Sequence, residues 1–162
     1  MRSSADEILG AGLLLAALLN VHTDADLVFG AYGKPHLSSR TPEFSLSHSK
    51  GHVLLGVSDF PIGVDMERAD RPVAPAVQQR ICLPSERNLD PLQVFTRKEC
   101  AMKLTGLGFS LPLQEIDTTK YFSWQNTDFH FLTTQQAGYL VSVLSVAESF
   151  PPLQLLTPEE LL

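Results

Sequence analysis

Between Asp90 and Gly106 the sequence marks both ends of a helix, and a long helix with locally written boundaries limits the available folds tightly. Asp90 can accept from the free amides of the first turn, Pro91 suits the first helical position, and Gln93 is placed for a capping-box contact. After Thr105, Gly106 supplies a residue tolerant of the left-handed conformation that closes many helices. Within this span Leu92, Phe95, Glu99 and Met102 recur at helical spacing and share one stripe. Glu99 therefore falls in an apolar row, where a carboxylate is costly unless it is paired, hydrogen-bonded or bound to a cation. Lys103, one turn further on, is one partner, and a plain Glu99–Lys103 surface pair is the alternative reading.

A strand is expected over residues 62–67, and its period of two sends Asp65 and Glu67 to one face and Val64 and Met66 to the other. An exposed sheet face would also account for two neighbouring carboxylates. If the strand packs on the capped helix, Asp65, Glu67 and Glu99 form an all-oxygen cluster suited to Mg2+, a hard cation usually held by few carboxylates plus substrate phosphate. Gly33-Lys34-Pro35 and Ser47-His48-Ser49 are read as loops whose ammonium, hydroxyl and imidazole groups could meet phosphates, although each is also ordinary loop composition.

Elsewhere, residues 5–19 read as a helix that is apolar on nearly every side and so lies between layers; its acidic leader, Asp6-Glu7, disfavours an export signal. A short strand is expected at 27–29, a turn-rich loop over 33–42, a strand at 53–57 and a helix over 73–81. Strands at 129–134 and 139–147 are joined by residues 135–138, and a short helix follows Thr157-Pro158. Gly51-His52-Val53-Leu54-Leu55 resembles Gly138-Tyr139-Leu140-Val141-Ser142, a faint internal duplication that chance explains equally well. The net charge of −6 with no basic run argues against nucleic-acid binding. Cys82 and Cys100 form neither a CxxC pair nor a zinc pattern, which fits reduced thiols in the cytoplasm.

In order along the chain stand Gly33-Lys34-Pro35, Phe44-Ser45-Leu46-Ser47-His48-Ser49, Gly63-Val64-Asp65-Met66-Glu67, and Phe95-Thr96-Arg97-Lys98-Glu99-Cys100-Ala101-Met102-Lys103. This series resembles the surfactin-type 4'-phosphopantetheinyl transferases, whose pattern runs G-K-P, F-N-x-S-H-S, G-[IV]-D-x-E and W-x-x-K-E-x-x-x-K. Residues 79–86 also look like that family's R-F-F-S-x-x-E segment. Phe95 stands in place of the usual tryptophan and Ser45 in place of an asparagine, and the stretch from Glu86 to Lys98 is short for the family.

The resemblance implies an α+β fold of two similar halves related by a pseudo-twofold, residues 1–61 and 62–162, the first expected to lack its leading strand. It implies transfer of the 4'-phosphopantetheine arm of coenzyme A to a serine of an apo acyl or peptidyl carrier protein, of the holo-acyl-carrier-protein synthase type, releasing 3',5'-ADP. Asp65, Glu67 and Glu99 would hold Mg2+, with Glu99 also the general base; Lys103 and His48 would neutralise phosphate charge. Lys34, Pro35, Ser47 and His48 would hold the nucleotide end, Lys98 would sit near the phosphates, and Arg2 would be a remnant of a basic set contacting the 3'-phosphate and adenine. A monomer or a homodimer is expected, with neither nucleic acid nor membrane as partner. The alternatives are a non-catalytic coenzyme A or carrier-protein binding module, and an interaction protein whose carboxylates are merely solvated.

Overall fold

The computed structural model describes residues 2–162, with side chains from residue 5 onward. Helix α1 spans Arg2–Leu19, and the hairpin of β1 (Leu27–Phe29) and β2 (Pro35–Leu37) follows. A second antiparallel hairpin joins β3 (Glu43–Ser49) to β4 (His52–Ser58). Next come β5 (Gly63–Arg68), α2 (Pro75–Ile81) and α3 (Pro91–Thr105), then β6 (Phe122–Trp124), β7 (Thr127–Gln136) and β8 (Tyr139–Ser145). The last strands build a four-stranded antiparallel sheet in the order β5-β8-β7-β6, with β5 at one edge.

The capped helix forms from local chemistry. The Asp90 carboxylate accepts from the Leu92 amide at 2.8 Å, and Gly106 takes a left-handed φ of 68° while its amide closes on the Met102 carbonyl at 2.9 Å. Gln93 takes no part in the cap. The inner face of α3 covers β7 and β8, where Cys100, Ala101, Leu104, Phe129, Phe131 and Leu144 make the main core. A smaller core of Leu15, Leu37 and Phe44 lies between α1 and the first strands. Ile62, Val64 and Val143 continue the apolar interior toward Leu54 of β4, so the two cores are bridged through β5.

Two hairpins share one turn. Lys50 and Gly51 have φ values of 48° and 84°, and Ala137 and Gly138 have 51° and 81°. Positive φ at both central residues is the requirement of a two-residue type I′ connection, and it explains the glycine in each pair.

Three expectations are corrected. Residues 43–49 and 35–37 are strands, and residues 122–124 add an edge strand, where turn-forming or polar residues masked the pattern. Helix α1 does not lie between layers among the described residues: Leu15 packs inward while Ile8 is 75% and Leu9 63% exposed. The expected strand at 139–147 stops at Ser145.

Candidate active site

Strand β5 lies directly against α3 because Gly63 has no side chain. A Cβ there would stand 1.9 Å from the Cys100 carbonyl oxygen. This contact brings Asp65 under the last turns of the helix, where Lys103 Nζ donates to Asp65 Oδ1 at 2.7 Å. The Ser47 hydroxyl donates to the same oxygen at 2.8 Å. Asp65 is buried, and its other oxygen, Oδ2, has no hydrogen-bond partner. A sealed carboxylate oxygen without a donor is costly, and a bound cation is one of the few groups that would satisfy it. Asp65 Oδ2 is therefore a candidate ligand for a hard divalent metal.

Glu67 is held differently. Arg71 forms an ion pair with Oε1, and the Ser49 hydroxyl donates to Oε2 at 3.0 Å. The Arg71 guanidinium also stacks 4.9 Å above the Phe95 ring, so Phe95 of α3 helps fix the cation that Glu67 meets. Phe95 stood out in the sequence through its helical stripe and motif position, but Arg71 did not; a basic residue close after D-x-E, with an aromatic on the facing helix, was the available signal.

Glu99 is half-buried on α3 and lines two cavities, one of about 300 Å³ bounded by Lys34, Phe44 and Gly106, the other of about 700 Å³ bounded by Ala76, Ile81 and Leu111. Burial first, then the nearby Asp65 carboxylate, pushes the Glu99 carboxyl up to about 7, with Lys103 pulling the other way. Among the described residues no group of three or more His, Cys, Asp or Glu side chains is drawn close enough to hold a metal ion. Asp65 and Glu67 instead neutralise Lys103 and Arg71.

The remaining expected residues divide. Ser47 is buried on β3, its hydroxyl committed to Asp65 and to the Met66 amide, at 3.2 Å from the latter. His48 is exposed on the same strand, with Nδ1 2.9 Å from Glu7 Oε2 of α1. Lys34 Nζ donates to the Leu104 carbonyl at 2.9 Å, at the C-terminal end of α3, where a cation suits the exposed carbonyls. Pro35 lines the smaller cavity beside it. Lys98, expected near phosphates, is 1% exposed; Nζ lies 3.2 Å from Glu86 Oε2 and donates to the carbonyls of Ile81 and, at 2.8 Å, Leu113. All three ammonium donors are thus engaged inside the protein, at the wall of the larger cavity that Glu99 also lines. The side chain of Arg2 lies outside the described residues.

A family model described as the 4'-phosphopantetheinyl transferase superfamily matches residues 61–149, more than half of the chain. The chain belongs to the 4'-phosphopantetheinyl transferase superfamily. It is 29% identical over 151 residues to the 4'-phosphopantetheinyl transferase ffp of Bacillus subtilis, covering 78% of this chain and 66% of that protein. It is 33% identical over 121 residues to slr0495 of Synechocystis, a protein named for the same transferase, covering 64% of this chain and 49% of that one. The chain thus spans about two thirds of one curated relative and about half of the other.

The superfamily match spans β5 through β8 with a few residues on either side, and so takes in Asp65, Glu67, Glu99 and Lys103. Lys34, Ser47 and His48 lie ahead of it. For a phosphopantetheinyl transferase superfamily protein, the carboxylates and Lys103 therefore stand in the matched segment, and the groups that support them from β3 stand outside it.

Proposed function

We propose that this protein transfers the 4'-phosphopantetheine arm of coenzyme A to a serine hydroxyl of an apo acyl or peptidyl carrier protein, with 3',5'-ADP as the leaving group. The observation that carries the reading is the unpartnered, buried Asp65 Oδ2, on a carboxylate already fixed by Lys103 and facing the helix that bears Glu99. The names of the superfamily and of both relatives support the chemistry.

In this reading Asp65, Glu67 and Glu99 are the residues that would hold Mg2+, for which Glu67 would have to give up its Arg71 partner. When bound, the metal would offset the negative charge of the coenzyme A pyrophosphate. Glu99 accepts the proton of the carrier serine, whose oxygen then forms a bond to the β-phosphorus while the bond to the bridging oxygen of 3',5'-ADP breaks. Lys103 stabilises charge on the departing phosphate, and His48, exposed on β3, would exchange its Glu7 partner for the nucleotide. Lys34 and Pro35 shape the small cavity in which part of coenzyme A would rest. The repeated type I′ hairpins at Lys50-Gly51 and Ala137-Gly138 support a division into two related halves, 1–61 and 62–162. No described helix is long and apolar enough to cross a membrane; a cytoplasmic setting suits the substrates.

The test is to mix the protein with coenzyme A, Mg2+ and an apo carrier protein and to weigh the carrier by mass spectrometry. Addition of phosphopantetheine is expected, and its absence under varied conditions overturns the transferase reading. Glu99→Gln should abolish transfer while coenzyme A still raises the melting temperature. A wild-type chain that is stabilised by coenzyme A yet transfers nothing would be a binding module.

A further inference from the structure

Strand β5 is an edge strand, paired with β8 on one side, so its other side must find partners for the Val64 and Met66 amides. Strand β3 supplies them without forming a backbone ladder. Ser45 Oγ accepts from the Val64 amide at 3.1 Å, and Ser47 Oγ accepts from the Met66 amide at 3.2 Å. Because the Ser47 oxygen is already an acceptor, its single proton is directed to Asp65 Oδ1, at 2.8 Å. Two residues on, the Ser49 hydroxyl donates to Glu67 Oε2 at 3.0 Å. Serines two apart on one strand therefore meet carboxylates two apart on the next, in register.

We propose that Ser47 and Ser49 are positioning residues that orient the Asp65 and Glu67 carboxylates toward a divalent cation. The assignment rests on the transferase reading above. With Oδ1 of Asp65 taken by Ser47 and Lys103, the carboxylate is locked in rotation and Oδ2 is the oxygen left to coordinate. Both roles of the Ser47 hydroxyl are needed: the acceptor role ties it to the β5 backbone, and the donor role sets the carboxylate. A main-chain amide would supply a donor alone. The intervening His48 points the opposite way, to Glu7, as the strand period demands.

The test compares pairs of variants of equal shape, Ser47→Thr against Ser47→Val and Ser49→Thr against Ser49→Val, each with a melting curve in the absence of metal. Binding of Mn2+ alone is followed through loss of the free-ion paramagnetic resonance signal. Ser47→Val should weaken Mn2+ binding by about 10- to 100-fold relative to Ser47→Thr, the loss expected when a group supporting a metal ligand is removed. The Thr form should stay close to wild type, and the Ser49 pair, at a half-exposed position where folding is not at risk, should show the same split. Equal affinities within both pairs, with Mn2+ bound by the wild type, overturn this assignment and leave the transferase reading standing. A wild-type chain that takes up no Mn2+ overturns the metal site and this assignment with it.

Discussion

Lys98 and Glu86 form an ion pair sealed from solvent, with Nζ 3.2 Å from Oε2 and the other Glu86 oxygen accepting from both the amide and the hydroxyl of Thr118, at 2.8 and 2.7 Å. The pair ties the loop before α3, the end of α2 and the segment after the helix into one buried knot beside the residue that carries the proposed base. Glu99 is the next residue in the chain, so its direction depends on how firmly Lys98 is seated.

Removing one member of this pair strands the other. Lys98→Met is expected to cost about 3–5 kcal/mol, since it leaves the Glu86 carboxylate buried without its cation. The double variant Lys98→Met with Glu86→Gln should recover most of that loss. Urea unfolding of the single and double variants checks the non-additivity.

Arg71 competes with any cation for Glu67. Arg71→Ala frees that carboxylate while leaving Asp65 and Lys103 in place, and is expected to tighten Mn2+ binding by roughly tenfold, equivalent to about 1.4 kcal/mol. Titration of Mn2+ in the absence of coenzyme A measures it; weaker binding in the variant would show that Arg71 supports the site rather than occupying it.

Gly63 is fixed by contact. A methyl group there would lie 1.9 Å from the Cys100 carbonyl oxygen and 3.0 Å from the Leu104 amide nitrogen, both backbone atoms that cannot swing aside. Gly63→Ala should cost about 1–3 kcal/mol or more by forcing β5 away from α3. It should also cost activity, since Asp65 rides on the same strand; a melting temperature and transfer rate equal to wild type would refute the close packing.

Asp117 gives a pH signature remote from the site. Burial opposes its ionisation, but donation from the Thr119 hydroxyl and amide, with help from Ser85 and Lys120, overcomes this and holds the carboxyl at about 2, below its ordinary 3.8. Because the folded value is depressed, its contribution is complete above about pH 4 and disappears as pH falls toward 2. Asp117→Asn should therefore lower stability at neutral pH and flatten this acid limb, as followed by urea unfolding at a series of pH values.

The parts of the molecule that were legible in the sequence are those written by neighbouring residues. Asp90, Pro91 and Gly106 fix α3 through local hydrogen bonds and backbone preference, and the alternation in β5 sets Asp65 and Glu67 apart from Val64 and Met66. Strand β3 was obscured because its serines read as loop residues, whereas they face the edge of another strand rather than water. Lys98 is a related case. Val94, Lys98 and Ala101 are spaced at four and three along α3 and share its most buried row, so the helical period alone signalled a buried lysine. Which carboxylate would meet it, at Glu86, depends on the fold of the intervening loop and has no local signature.

The two type I′ hairpins meet at their tips. Tyr139, which follows Gly138, places its hydroxyl 2.8 Å from Nδ1 of His52, which follows Gly51, with the rings 4.7 Å apart. Equivalent positions of two hairpins thus clasp each other, and β4 and β8 are pinned at the same end. A pinned end acts as a pivot. Any breathing of β3 against β5 must open away from the clasp, so the serine-to-carboxylate register would be lost progressively along the strand rather than all at once, with Ser45 and Val64 parting before Ser49 and Glu67.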